Sequence, residues 1–126
     1  MLKLLIVDDH KVVRELLDIA LGEEYEVKTA GSGAEALDLT VAWPPDGVLT
    51  DHWMPGMTGL ELIQRFESRE PRNKSENQKV KFMLLSASLT EELALEAKRL
   101  GFSACISKPF DLEKLRAVVR RVMKTM

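Results

Sequence analysis

The sequence predicts an α/β protein in which helices flank a parallel β-sheet, and three observations support this fold class. Short runs of β-type residues alternate along the chain with segments of helical periodicity. Three of the five runs are nearly all apolar, as expected for strands buried on both faces of a sheet. Polar residues directly follow four of the runs, at the strand ends where open α/β sheets build their sites.

Five short strands are predicted. The second has the sequence YEVKT, in which polar and apolar side chains alternate, so this strand is expected at an edge of the sheet. The predicted strands span residues 2–7, 25–29, 47–50, 80–85 and 102–107.

Capping boxes predict the starts of three helices. In this motif a hydroxyl residue and a glutamate three positions later satisfy free N–H groups of the first helical turn. The pairs are Ser32 with Glu35, Thr58 with Glu61, and Ser88 with Glu91.

The first and last helices carry apolar stripes at helical spacing, which are expected to face the core. Asp111 precedes the last stripe as an N-cap. Between the third helix and the fourth strand, the polar stretch 68–78 has no periodicity and is predicted to be a long solvated loop. The stripes are Val12, Val13, Leu16, Leu17 and Ala20, and Leu112, Leu115, Val118, Val119 and Val122.

Length and composition indicate one domain over residues 1–126. A chain with 45% hydrophobic and 30% charged residues is typical of a soluble globular protein. The net charge of -2 lacks the basic excess of a nucleic-acid-binding surface. No run is long enough for a membrane span or a signal sequence, so a cytoplasmic location is expected. The single cysteine, Cys105, excludes an internal disulfide.

Five polar side chains at strand ends form the candidate site: Asp8, Asp9, Asp51, Ser86 and Lys108. Clustered carboxylates repel one another unless a cation lies between them, which predicts a Mg²⁺ site. Asp9 and Asp51 are expected to bind the ion directly, and Asp8 directly or through water.

The same cluster predicts phosphoryl chemistry. A carboxylate such as Asp51 can attack phosphorus and form an aspartyl phosphate. The Ser86 hydroxyl can donate a hydrogen bond to a phosphoryl oxygen, and the Lys108 ammonium can pair with carboxylate or phosphate. A cis Lys108–Pro109 bond is the hypothesis that would aim this lysine inward.

Each residue also has a simpler interpretation when it is considered alone. Asp9 could be the N-cap of the first helix, and Asp51 a turn residue. Ser86 could be an ordinary strand-end hydroxyl, and Lys108 a solvated lysine. The functional interpretation depends on finding all of them together.

The neighbours of these residues have less specific predictions. His10 and His52 adjoin motif acids, and surface or supporting roles are expected for both. Trp53 and Met54 belong to a predicted loop, where either simple packing or, for an exposed aromatic ring, control of solvent access remains open. Cys105 lies in an apolar run and is predicted to be an inert core thiol.

Four segments in this order, IVDDH, LTDHWMPGMTG, LLSAS and SKPF, resemble the receiver domain of bacterial two-component response regulators over residues 2–124. The resemblance implies a flavodoxin-like, doubly wound sheet of five parallel strands in the order 2-1-3-4-5, with five flanking helices. It also implies a single receiver domain over residues 1–126.

The resemblance assigns a role to each site residue. Asp51 would be the phospho-acceptor, and Asp8 and Asp9 the acidic metal pair. The backbone carbonyl of Trp53 would complete the protein ligands of Mg²⁺. Ser86 would be the switch hydroxyl and Lys108 the phosphate-contacting lysine. Met54, Pro55 and Gly59 match the loop pattern that follows the acceptor.

The implied function is a phosphorylation-dependent switch rather than an enzyme with a separate substrate. A sensor histidine kinase or phosphotransfer protein would donate the phosphoryl group to Asp51, and the domain would promote its own phosphorylation and dephosphorylation. A downstream protein or output domain would respond through helix 4, strand 5 and helix 5, without direct nucleic-acid or membrane contact.

The chain departs from the family pattern at two places. Cys105 replaces the Tyr or Phe that receivers often carry three residues before the lysine, which affects the expected output route. The stretch 68–78 is also long, and it could be either a partner-specific element or a tolerated surface insertion.

Two alternative functions remain open. An aspartyl-phosphate phosphohydrolase would typically carry a second acid where Trp53 stands. A pseudo-receiver or flavodoxin-like binding module would not need all five polar groups, and a flavin site would need a phosphate-binding loop after the first strand.

Overall fold

Five strands and five helices alternate along the part of the chain that the structure describes. The computed structural model describes residues 1–69 and 79–124. The strands are β1 (Lys3–Val7), β2 (Glu26–Ala30), β3 (Gly47–Asp51), β4 (Lys81–Ser86) and β5 (Ala104–Ser107). The helices are α1 (Lys11–Leu21), α2 (Gly33–Ala42), α3 (Gly59–Arg69), α4 (Glu91–Leu100) and α5 (Leu112–Met123).

The strands form one parallel sheet in the order β2-β1-β3-β4-β5, as the sequence predicts. Val7 pairs with Ala30 on one side and Thr50 on the other, and Ser86 pairs with Ser107. Because all strands are parallel, the residues that follow them meet at one edge, called here the carboxyl edge. The alternating strand β2 lies at an outer edge, as expected.

An apolar core covers each face of the sheet. Leu5, Val7 and Val48 belong to one core, and Leu4 and Ile6 to the other. Successive strand residues point to opposite faces, so a strand with cores on both sides is apolar at nearly every position. This is why the runs in β1, β3 and β4 lack alternation.

Strand bounds agree with the prediction to within one residue, apart from the start of β5. Residues 102 and 103 are not part of this strand. Gly101 ends α4 with φ of 109°, and Phe102 then donates its N–H to the Ala97 carbonyl at 3.0 Å. Phe102 is buried, but its backbone completes the end of the helix rather than a strand.

Two of the three capping boxes begin helices. Glu61 and Thr58 exchange both hydrogen bonds, at 3.0 and 3.2 Å. Ser32 accepts the N–H of Glu35 at 3.1 Å, while the Glu35 carboxylate accepts the N–H of Gly31 instead of that of Ser32. Asp111 is the N-cap of α5, as predicted, and its side chain accepts backbone N–H groups of the first turn.

The predicted Ser88–Glu91 cap is wrong. Thr90 is the N-cap of α4 and accepts the N–H of Leu93 at 3.1 Å. Ser88 donates its own N–H to the Ser86 hydroxyl at 3.1 Å, which holds it in the turn after β4. The helix therefore begins after that turn, two residues later than the motif suggested.

The last apolar stripe faces the core as predicted, but the first does so only in part. In α1, Leu17 and Ala20 are buried, whereas Val12 is 77% exposed and Leu16 43% exposed. Helical residues advance by about 100° each, so positions 12 and 16 lie on a different face from 17 and 20. The sheet covers only one of these faces.

Helix α3 continues through Arg69, so the first two residues of the predicted loop 68–78 are helical. The rest of that predicted loop, residues 70–78, lies outside the described residues. Within residues 1–69 and 79–124, no helix combines the length and apolar character needed to cross a membrane.

Candidate functional site

Three of the five predicted side chains are in contact at the carboxyl edge, where one lysine lies beside two acids. The Lys108 ammonium lies 2.9 Å from Asp8 Oδ2 and 3.4 Å from Asp51 Oδ1. Asp8, Asp51 and Ser86 are almost fully buried. These three groups end or follow β1, β3 and β4, so the parallel sheet fixes their separation.

Asp9, the fifth group, is less buried but has an unsatisfied oxygen. Its Oδ1 atom is buried and has no hydrogen-bond partner among the described residues. His10 occupies the N-cap position of α1, so the N-cap interpretation of Asp9 is wrong. A buried carboxylate oxygen without a donor is costly unless a cation contacts it.

The acidic groups lie close enough to share one ion. Donor atoms of Asp8, Asp9, His10 and Asp51 all lie within 4.8 Å of one another. Oxygen ligands from several carboxylates suit a hard divalent cation. The cluster and the free Asp9 oxygen both fit such an ion.

Two groups of effects act on the pKa of Asp51 in opposite directions. Burial, followed by repulsion from Asp8, raises the pKa of Asp51, although Lys108 and the N–H of His52 partly oppose this. A bound cation would stabilise the ionised carboxylate.

Lys108 remains charged in this setting. Burial disfavours its ammonium, but the hydrogen bond to Asp8 and the attraction of Asp8 and Asp51 outweigh that effect, so its pKa is raised. Its backbone N–H donates to the Ser86 carbonyl at 2.9 Å, and the Lys108–Pro109 bond is cis, as hypothesised from the sequence. The lysine is the counter-charge of the two buried acids.

A close contact between β3 and the start of α3 shapes the floor of the site. A Cβ atom at Gly59 would lie 2.7 Å from the Asp51 carbonyl oxygen and 2.8 Å from Leu84 Cδ1. The Gly59 N–H donates to the His52 carbonyl at 2.9 Å. Only a residue without a side chain allows the helix to begin this close to Asp51.

Trp53 and Met54 differ in exposure. Trp53 is 61% exposed, whereas Met54 is buried in the core. The indole lines a pocket of about 350 Å³ together with Asp51, Lys108 and His10. Trp53 thus borders the opening above the site, which favours control of access over simple loop packing.

The two histidines have different environments. His52 is buried, so a surface role is wrong for it, and burial lowers its pKa. Its backbone N–H donates to Asp51 Oδ1 at 3.0 Å, which is the supporting role that remained open. His10 is exposed, yet its Nδ1 lies 3.2 Å from Asp8 Oδ1 and 3.3 Å from Asp9 Oδ1.

Arg14 is a site neighbour that sequence reasoning missed. Its Nη1 atom donates to the Asp8 carbonyl oxygen at 2.8 Å and so holds the end of β1. Its position one turn into α1 was the available signal, but an arginine there is usually solvated. Side-chain direction depends on how α1 packs against β1.

Cys105 lies in β5 and is half-buried instead of fully buried as predicted. Burial raises the pKa of its thiol, so the protonated, unreactive form is favoured. The residue pairs with Leu84 of β4. No aromatic ring is available at this position to change its packing.

Comparisons with known proteins agree with the resemblance seen in the sequence. The family model "Response regulator receiver domain" matches residues 4–120. Sporulation initiation phosphotransferase F of Bacillus subtilis is 32% identical over 96% of this chain and 93% of its own length. Regulatory protein AtoC of Escherichia coli is 35% identical over 97% of this chain, which spans only 25% of that protein.

A solved structure shows the same fold. The structure of the response regulator protein TrrA from Thermotoga maritima, in complex with Mg(2+)-BeF, has a TM-score of 0.80 and is 30% identical. The match covers 97% of this chain and 99% of that one.

Proposed function

Because the chain belongs to the response regulator receiver domain family, whose members act in phosphotransfer signalling, we propose that Asp51 is its phospho-acceptor. The observation that carries this assignment is the position of Asp51, buried at the carboxyl edge with its Oδ1 atom 3.4 Å from the Lys108 ammonium. Residues 1–126 would form a single receiver domain.

The acidic cluster is the proposed Mg²⁺ site. Asp9, Asp51 and the backbone carbonyl of Trp53 would bind the ion directly, and Asp8 directly or through water. The Asp9 oxygen that has no hydrogen-bond partner among the described residues supports this assignment, as does the Mg(2+)-BeF complex of the TrrA protein. When bound, the ion would offset negative charge on the phosphoryl oxygens.

Side chains of this domain would carry out phosphoryl transfer and contact the phosphoryl group. An Asp51 carboxylate oxygen attacks phosphorus, a P–O bond forms, and the P–N bond to the donor imidazole breaks. Lys108 pairs with a phosphoryl oxygen, and the Ser86 hydroxyl donates a hydrogen bond to another. Attack by water on phosphorus then breaks the P–O bond to Asp51, releases inorganic phosphate and restores the free carboxylate. The domain would thus promote its own phosphorylation and dephosphorylation without a separate substrate.

The donor would be a sensor histidine kinase or a phosphotransfer protein, in the cytoplasm. The new charge at Asp51 would change the surface formed by α4, β5 and α5, which a downstream protein or output domain would read. Since Cys105 supplies no aromatic ring, other residues of that surface would carry the change. No direct contact with nucleic acid or membrane is part of this proposal.

Acetyl phosphate tests the assignment directly. Incubation with Mg²⁺ should add one acid-stable, base-labile phosphoryl group, detected by intact-protein mass spectrometry. Asp51→Asn should abolish the adduct, whereas Asp38→Asn, which changes an exposed acid of α2, should retain it. Omission of Mg²⁺ should also prevent the reaction.

Two results would contradict this function. A folded protein that forms no Mg²⁺-dependent adduct would be a pseudo-receiver that binds partners without phosphorylation. Rapid multiple turnover of unrelated phosphate esters would indicate an aspartyl-phosphate phosphohydrolase.

A further inference from the structure

We propose that His10 is an additional metal ligand, which strengthens the binding of late first-row divalent ions such as Zn²⁺ and Ni²⁺ far more than that of Mg²⁺. The inference rests on the proposed metal site but adds a nitrogen donor to a set of oxygen ligands. Imidazole suits Zn²⁺ and Ni²⁺, while carboxylate, carbonyl and water suit Mg²⁺.

The distances around His10 match those of ligands on one ion. Its Nδ1 atom lies 3.2 Å from Asp8 Oδ1 and 3.3 Å from Asp9 Oδ1. Metal–ligand bonds of about 2.1 Å at right angles place neighbouring ligand atoms about 3 Å apart. One ion can therefore contact the imidazole and a carboxylate together.

The backbone holds this ring at the site. The His10 N–H donates to Asp8 Oδ1 at 2.9 Å, and the His10 carbonyl accepts the N–H of Arg14 at 3.1 Å. These bonds fix the residue between the end of β1 and the first turn of α1. The main chain of His10 is therefore already ordered before an ion binds, which lowers the entropy cost of binding.

A second observation concerns a carboxylate oxygen beside the ring. The Asp9 Oδ1 atom, 3.3 Å from His10 Nδ1, is buried without a hydrogen-bond partner in residues 1–69 and 79–124. A cation bound to both atoms would give the Asp9 oxygen a partner. A hydrogen bond from His10 to Asp8 alone would leave the Asp9 oxygen unsatisfied.

A simpler role for His10 makes a different prediction. If the ring only orients Asp8, its removal should weaken the binding of every divalent ion by a similar factor. If it is a ligand, the loss should be large for Zn²⁺ and Ni²⁺ and small for Mg²⁺. The ratio of affinities therefore separates the two roles.

Calorimetric titration with Mg²⁺, Zn²⁺ and Ni²⁺, without a phosphodonor, measures this ratio. Loss of a partner that only orients a ligand costs about 10- to 100-fold in affinity, and loss of a direct ligand should cost at least as much. His10→Ala should therefore weaken the binding of Zn²⁺ and Ni²⁺ by about tenfold or more. Its Mg²⁺ affinity should change by less than about threefold. His10→Asn keeps a donor for Asp8 but should not restore Zn²⁺ binding.

The exposed Val12 provides a matched control on the same helix turn. Val12→Ala should leave all three affinities unchanged. Because the chain has two histidines, the ring nitrogen resonances of His10 can be resolved by NMR, and they should shift with Zn²⁺ but not with Mg²⁺.

Equal losses for all three ions, or rescue of Zn²⁺ binding by His10→Asn, would overturn the inference. So would unchanged Zn²⁺ affinity in His10→Ala. The phosphorylation experiment has an independent readout at Asp51: Mg²⁺-dependent phosphorylation with no His10 effect on Zn²⁺ would refute only the ligand role. A selective loss of Zn²⁺ affinity in His10→Ala, without any phosphorylation, would refute only the proposed switch.

Discussion

The carboxyl edge and the side of the molecule formed by α4 and β5 are packed very differently. At the edge, Asp8, Asp51 and Ser86 are almost fully buried, at the ends of strands buried on both faces. In β5 the residues are half-buried or exposed, and Ala97 is the buried residue of α4. Groups that must keep fixed distances are thus supported by the dense core, while the more loosely packed side can adjust at lower cost.

Truncation of two paired residues should reveal this difference most strongly. Leu84 of β4 is fully buried and pairs with the half-buried Cys105 of β5. Leu84→Ala should lower the free energy of unfolding by about 2–5 kcal/mol, because it leaves a cavity in the core. Cys105→Ala should cost less than about 1 kcal/mol. Urea unfolding of both variants measures the contrast, and equal costs would contradict it.

Two glycines extend the comparison to the backbone. Gly59→Ala should destabilise the protein by about 1–3 kcal/mol, because the added methyl group would meet backbone oxygen and Leu84. Among the described residues, a Cβ atom at Gly101, which ends α4, meets nothing closer than 3.9 Å, so Gly101→Ala should cost about 1 kcal/mol for its positive φ. Thermal unfolding compares the two. A smaller cost at Gly59 than at Gly101 would show that the carboxyl edge accommodates an added methyl group more easily than its burial suggests.

The smallest expected effect is a pH-dependent stabilisation by Asp51→Asn. Burial raises the pKa of Asp51 in the folded state, so ionisation destabilises the native protein above that pKa. Without divalent ions, the variant should be more stable than the wild type at neutral pH, by less than the Gly59→Ala cost.

The raised pKa of Asp51 in the folded state sets the pH range over which this stability difference changes. As pH falls through the raised folded pKa towards the ordinary value for aspartate, the wild type regains stability and the difference should disappear. Unfolding curves at several pH values measure it. A difference that grows on acidification would mean that Asp51 is stabilised in its ionised form, and the edge would then tolerate its charges better than we infer.

The sequence was most informative about the strands, because burial on both faces of a sheet constrains every residue of a strand in the same way. Strands covered on both faces must be apolar at successive positions, so β1, β3 and β4 were visible as runs. Parallel pairing then required the polar residues after them to share an edge. The convergence of Asp8, Asp51 and Lys108 followed from this rule.

Local motifs failed where a residue had two possible partners. Ser88 has the spacing of a cap, but its N–H bonds to Ser86 and the helix starts after Thr90 instead. Val12 and Leu16 are apolar at helical spacing, yet α1 turns another face to the sheet. Short patterns do not encode which of two competing contacts lies closer in space.

The sequence by itself determined the fold class, the strand ends and the residue types gathered at the carboxyl edge, because periodicity and parallel pairing depend on local chemistry. Only the tertiary structure decided how those groups contact one another. It placed the His10 ring against Asp8 and Asp9 and buried His52. It also left one Asp9 oxygen without a hydrogen-bond partner among the described residues. These outcomes depend on how α1 and the β3–α3 loop pack against the sheet, and distances of 3 Å between separate elements are set by that packing.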